Sequence, residues 1–224
     1  MGGLMMAAAA AAMQAASSAA PAVPAAPAAT VAGNTVTHAG EKVRVTVPAG
    51  AAYAGAERFN LYGVADAEIH VFIEADAVKK MRRLYWVQFE SYLPSNDHRY
   101  DYADGNKRLA VAGDTVWVRA GPVPTNAPMR AGGDRESVMR ILARGGYTLP
   151  AEAMNVRMVR ILDDPAGTGH GRRELMVIYA EDLAAAGKSL ADFAKDGKLD
   201  PAAWQPFEQP LVDRATAAVK VERF

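Results

Sequence analysis

Alternation of apolar and polar side chains is sharpest in two neighbouring stretches of the chain. In residues 65–74, Ala67, Ile69, Val71 and Ile73 fall on one parity and Glu68, His70, Phe72 and Glu74 on the other. In residues 81–102, MRRLYWVQFESYLPSNDHRYDY, odd positions carry Tyr85, Val87, Phe89 and Leu93, whereas even positions carry Leu84, Trp86, Gln88, Glu90 and Tyr92. Successive strand residues point to opposite faces, so each stretch predicts a strand with one apolar and one mixed face. The short connection through Ala75 to Lys80 predicts an antiparallel hairpin. If the two odd sets share a core face, paired residue numbers sum to an even total. That register places His70 and Phe72 beside Trp86 and Gln88, with Glu68 near Gln88 or Glu90.

The same reading extends along the chain. Val43, Val45 and Val47 alternate with Lys42, Arg44 and Thr46 before Pro48-Ala49-Gly50 stops the strand, and Phe59 to Gly63 adds a brief extended piece. Leu109 to Val111 and Thr115 to Arg119 predict two strands joined at Ala112-Gly113-Asp114, followed by a Gly/Pro-rich loop from Gly121 to Gly133. Asn155 to Leu162 and Glu174 to Ala180 predict two more, the second internal to the sheet because Met176 to Tyr179 is contiguously apolar. Helices are predicted from Asp134 to Gly145-Gly146, from a Ser189/Asp192 capping box to Gly197, and from Asp200-Pro201 onward, with Pro210 interrupting the last before Leu211 to Val221. The expected fold is α+β: a largely antiparallel, twisted sheet of about six strands, helices on one side, and carboxy-terminal helices closing an edge.

Composition changes the picture mainly at the amino terminus. Residues 1–33 hold no charge and are mostly Ala punctuated by Pro, so a single domain is expected over residues 34–224. The apolar run from Gly2 to Met13, followed by small residues at Ser18-Ala19-Ala20 or Ala20-Pro21-Ala22, predicts a secretory signal and a periplasmic or secreted protein. No Lys or Arg precedes it, the first charge being Glu41, and the competing reading is a disordered tail. Gln14, Ser17, Ser18 and Pro21 break the run, which argues against stable insertion of the mature domain into a membrane. With 25 basic and 25 acidic residues the net charge is zero, so no nucleic-acid partner is expected. The lack of cysteine removes disulfides, thiolate metal sites and cysteine nucleophiles.

Candidate chemistry lies on the mixed face. Exposing a Trp and a Tyr to water forgoes burial of roughly 1.5–3 kcal/mol each, so Trp86 and Tyr92 must be covered by a helix, by loops or by a ligand. Phe72, Trp86, Gln88 and Tyr92, overhung by Tyr100 from the following loop, form the candidate ligand-binding set. His98, between Asp97 and Asp101 on that loop, and His70, with Glu68, Glu74 or Glu90 as partner, are the acid/base candidates. A hydrogen-bonded sheet histidine and a solvated polar turn explain the same two residues without function. No helical HExxH, calcium loop or G-x-S-x-G occurs, and no metal or cofactor is expected. Gly167 to Gly171 precedes a strand-like segment, so it reads as a hairpin tip and not a phosphate loop. Lys79-Lys80-Met81-Arg82-Arg83 reads as an edge kept soluble by charge. The leading expectation is an exported binding protein for a small amphipathic or aromatic molecule; the alternative is a hydrolase or isomerase built on a His/carboxylate pair, His98 or His70 with Asp101 or Glu90.

Overall fold

The computed structural model describes residues 26–224; the signal-like stretch from Gly2 to Met13 lies outside them. In chain order the strands are β1 Thr30–Ala32, β2 Thr35–His38, β3 Val43–Thr46, β4 Ala52–Leu61, β5 Ala65–Ala75, β6 Met81–Tyr92, β7 Tyr100–Asp101, β8 Lys107–Val111 and β9 Asp114–Pro124. Helix α1, Asp134–Arg144, precedes β10 Glu152–Ile161, β11 His170–Gly171, β12 Arg173–Asp182, β13 Ala194–Lys195 and β14 Lys198–Leu199. Helix α2, Pro201–Ala218, runs into β15, Lys220–Arg223.

Seven of these strands form one antiparallel sheet in the order β4-β5-β6-β12-β10-β9-β8. A second sheet, β1-β2-β3-β15, packs on one face of it. The expected α+β class is therefore corrected: the described residues hold fifteen strands and only two α-helices, a mostly β protein. The helices also lie on opposite faces, not one. α2 packs through Trp204, Leu211, Val212 and Ala215 on the face shared with the small sheet, and α1 packs through Val138, Ile141 and Leu142 on the other.

The differences have local causes. The segment after Ser189 makes only a 3-10 turn, Leu190–Phe193. α2 continues through Pro206 and Pro210 without a break, because its buried stripe from Trp204 to Ala215 anchors both sides. β4 is ten residues long where a brief piece was expected, since Ala and Gly dilute its alternation and a bulge interrupts it between Tyr53 and Gly55. The boundary expected at residue 33 falls inside a hairpin: β1 and β2 are joined by the two-residue turn Gly33-Asn34, with Gly33 at φ +58°.

The register of the central hairpin is the consequential correction. Ile69 pairs with Gln88, His70 with Val87, Val71 with Trp86 and Phe72 with Tyr85, so paired numbers sum to an odd total. The even-sum rule assumed that one face of the hairpin is wet, whereas residues from Ala67 to Ile73 and from Leu84 to Phe89 are buried on both faces. His70 and Phe72 thus share a face with Tyr85, Val87 and the small sheet. Trp86, Gln88, Glu90 and Tyr92 share the opposite face with Ile69, Val71 and α1.

Candidate functional site

Cross-strand pairing lays the α1 face out in rows. One row runs Val71, Trp86, Ile178, Arg157, Arg119 across five strands, and the adjacent row runs Leu84, Ala180, Asn155, Gly121. α1 covers β4 and β5, held there by Arg140, whose Nε donates to Glu57 Oε1 at 3.0 Å, and by Ser137, whose hydroxyl donates to the same carboxylate at 3.2 Å. Its far side stops short of the β12 and β10 end of the sheet. A hollow of about 340 Å³ is left between α1, the residues following β9 and the sheet. Trp86, Leu84, Ile178, Val138, Met139 and Leu149 give it apolar walls, and Asn155, Thr125 and Arg135 are the polar groups on its lining. Its size lies within the range of roughly 300–1,000 Å³ usual for small-molecule sites.

Trp86 is held in this wall by a hydrogen-bonded chain. Its indole Nε1 donates to Gln88 Oε1 at 2.8 Å, Gln88 Nε2 donates to Glu90 Oε2 at 2.6 Å, and the Tyr100 hydroxyl donates to Glu90 Oε1 at 2.6 Å. Every polar atom the strand turns inward is thereby paired, which is what lets Gln88 be fully buried. Tyr92, Tyr100 and Tyr102 stack over this end, with ring centroids 4.4 Å and 6.2 Å apart. Arg172 fixes the loop beneath them by donating to the carbonyls of Leu93, Asn96 and His98 at 2.9, 2.9 and 3.1 Å.

Directly across from Glu90 in the register lies Glu174. Burial, followed by the charge of Glu90, pushes the Glu174 carboxyl up to about 8, and its Oε2 has no hydrogen-bond partner. Glu90 is also raised, by burial first and then by Asp134 at the start of α1. Two facing carboxylates under a lid of tyrosines form a buried acidic pair that alternation alone did not reveal, because Glu174 sits in a contiguously apolar strand. Its signal was the pairing partner, visible only once the order β6-β12 was known.

The remaining candidates are dispersed. His70 is buried on the opposite face, where Nε2 lies 2.8 Å from Glu68 Oε1 and Nδ1 lies 3.1 Å from the Tyr53 hydroxyl. Its partner is Glu68, not Glu90. Phe72 packs against Tyr53 at 5.0 Å on that same face, away from Trp86. His98 is exposed beside the Tyr92 ring at 5.8 Å, and Asp101 approaches His170 at 3.5 Å instead of His98. Of the expected ligand-binding set, Trp86, Gln88, Tyr92 and Tyr100 lie on one face and Phe72 on the other, and of the five only Trp86 lines the hollow. Of the expected acid/base pairings, His70 with Glu68 forms, whereas His98 with Asp101 and His70 with Glu90 do not. The site gains residues that sequence reasoning missed, chiefly Ile178, Asn155 and the α1 side chains Val138 and Met139.

Among the described residues no group of three or more His, Cys, Asp or Glu is disposed to hold a metal ion, and no helix is long and apolar enough to cross a membrane. No protein-family model, curated protein or solved structure matches the chain.

Proposed function

We propose that the protein binds a small amphipathic molecule in the hollow against Trp86. The observation that carries this reading is a concave, apolar space edged by few polar groups, with the tryptophan in its wall locked by the Gln88–Glu90–Tyr100 chain. Such a combination of preformed apolar wall and sparse directed polarity is how small-molecule sites are built. Export to the periplasm or the medium belongs to the same reading and is supported by the uncharged, Ala-rich residues 1–33.

The test is a titration of the full chain with the uncharged dye N-phenylnaphthylamine, read by its fluorescence. Saturable, single-site enhancement is expected. Ala180→Phe, which directs a ring into the hollow from β12, is expected to raise the Kd by about tenfold or more while leaving the circular dichroism spectrum unchanged. Equal dye binding by native chain and folded variant, or no saturable binding by the native chain, would overturn the proposal.

A further inference from the structure

The row that passes through the hollow does not stay apolar. From Trp86 and Ile178 it continues without a gap into Arg157 and then Arg119, which are direct register partners on β10 and β9. Two like charges placed opposite each other on neighbouring strands repel, a destabilising arrangement unless something of opposite sign comes between them. Among the described residues neither guanidinium forms an ion pair. Arg119 is exposed, whereas Arg157 is half-buried and aimed: its Nη2 donates to Asn106 Oδ1 at 3.1 Å and its guanidinium lies 5.3 Å from the centre of the Tyr102 ring. Arg157 favours ionisation of the buried Glu174 carboxyl, but burial and the charge of Glu90 outweigh it and hold that carboxyl above the usual range, and the two side chains form no ion pair. The space beside the pair is also free. A Cβ built on Gly121, next to Asn155 in the adjacent row, meets no atom within 4 Å. Asn155, on the lining of the apolar hollow, thus stands in the row next to two arginines without an ion-pair partner.

We infer that the ligand is a single-chain anionic amphiphile, its apolar body lying over Ile178 and Trp86 and its carboxylate or phosphate head group taken by Arg157 and Arg119. This rests on the hollow being a binding site. Arg157 supplies the oriented guanidinium, whose planar fork matches the paired oxygens of such a head group, and Arg119 supplies the second charge from the solvent side. Asn155, at the rim between the two regions, offers its amide to the same oxygens. Specificity follows from the order of the row: an uncharged amphiphile fills the hollow but leaves both arginines repelling, whereas the anion relieves them.

The experiment uses displacement of N-phenylnaphthylamine from the full chain by decanoate, decyl phosphate and decanol, molecules with the same tail. Both anions are expected to displace the dye at about tenfold lower concentration than decanol, the factor expected for a charge-assisted hydrogen bond. Added salt should narrow that gap. Arg119→Gln, a change at an exposed side chain, is expected to shift both anions toward decanol while leaving decanol unmoved. Gly121→Phe, which fills the space beside the arginines, should weaken the anions more than decanol. Equal displacement by decanoate, decyl phosphate and decanol from the native chain, or an unchanged anion advantage in Arg119→Gln, would overturn the head-group assignment while leaving the hollow as a binding site. Failure of the dye and all three amphiphiles to bind would overturn both.

Discussion

Replacing Glu174 by Gln tests the buried acidic pair directly. In the unfolded chain this carboxyl titrates near 4.5, whereas in the folded protein burial and the facing Glu90 move it to about 8. Between those two values the folded state holds a proton that the unfolded state has released, so stability falls as pH rises through the window. At about 1.4 kcal/mol per pH unit, the full separation corresponds to about 5 kcal/mol, of which about 4 kcal/mol is lost between pH 4.5 and pH 8. Glu174 is only 2% exposed, so solvent screening does little to reduce the effect. Glu174→Gln keeps the shape of the protonated acid and cannot ionise. Its amide leaves donors unpaired where Oε2 has no partner, which costs about 1–3 kcal/mol at acid pH. The two stability curves should therefore cross: native more stable at pH 5, variant more stable at pH 8. Urea denaturation followed by far-ultraviolet circular dichroism at pH 5, 6, 7 and 8 measures this. Parallel curves for the two proteins would show that Glu174 ionises in the fold without penalty, and the reasoning would fail.

Two further substitutions test how the faces are anchored. Gly171→Ala places a methyl group against Ile161 and Asp163, and because Gly171 pairs with Tyr100 it should destabilise by about 1–3 kcal/mol and expose the tyrosine stack; Gly121→Ala, in open space, should change stability by less than about 0.5 kcal/mol. Glu68→Ala leaves His70 Nε2 and the Ala28 and Ala29 amides without their buried acceptor, so it should cost about 2–4 kcal/mol in denaturation and make the segment before β1 a site of elastase cleavage; native-like resistance would refute the anchoring role.

Much of the strand layout was legible because it rests on local alternation. β5, β6, β8 and α1 follow from the placement of Ile69, Val87, Leu109 and Ile141 relative to their polar neighbours and from turn chemistry such as Ala112-Gly113, where both residues have positive φ. What was illegible was everything that depends on which surface meets which. The apolar sets Ile69/Val71/Ile73 and Tyr85/Val87/Phe89 are equally suited to a core, and only the presence of two covering layers decides that they face opposite ways. For the same reason His70 and Trp86 looked like neighbours and are separated by the sheet. β1, β2 and β15 were missed because three or four residues carry too little periodicity to stand out, although Gly33-Asn34 between TVA and TVTH is a hairpin signal in its own right.

That second cover also explains why the hollow exists. The face opposite α1 is covered by the small sheet with α2 beside it, whose aliphatic side chains pack in one cluster with Val87, Val156 and Val177. The face carrying Trp86 is closed by separate pieces, each tied down at its own end. α1 is fixed to β4 through Glu57, the tyrosine loop is fixed to β6 through Glu90 and to Arg172, and the residues after β9 are fixed to α1 by the Arg135 guanidinium donating to the Thr125 carbonyl. For any piece to slide inward and fill the space, it would have to abandon a charged or buried hydrogen bond worth about 1–3 kcal/mol. The polar anchors around the gap at Trp86 thus oppose its collapse.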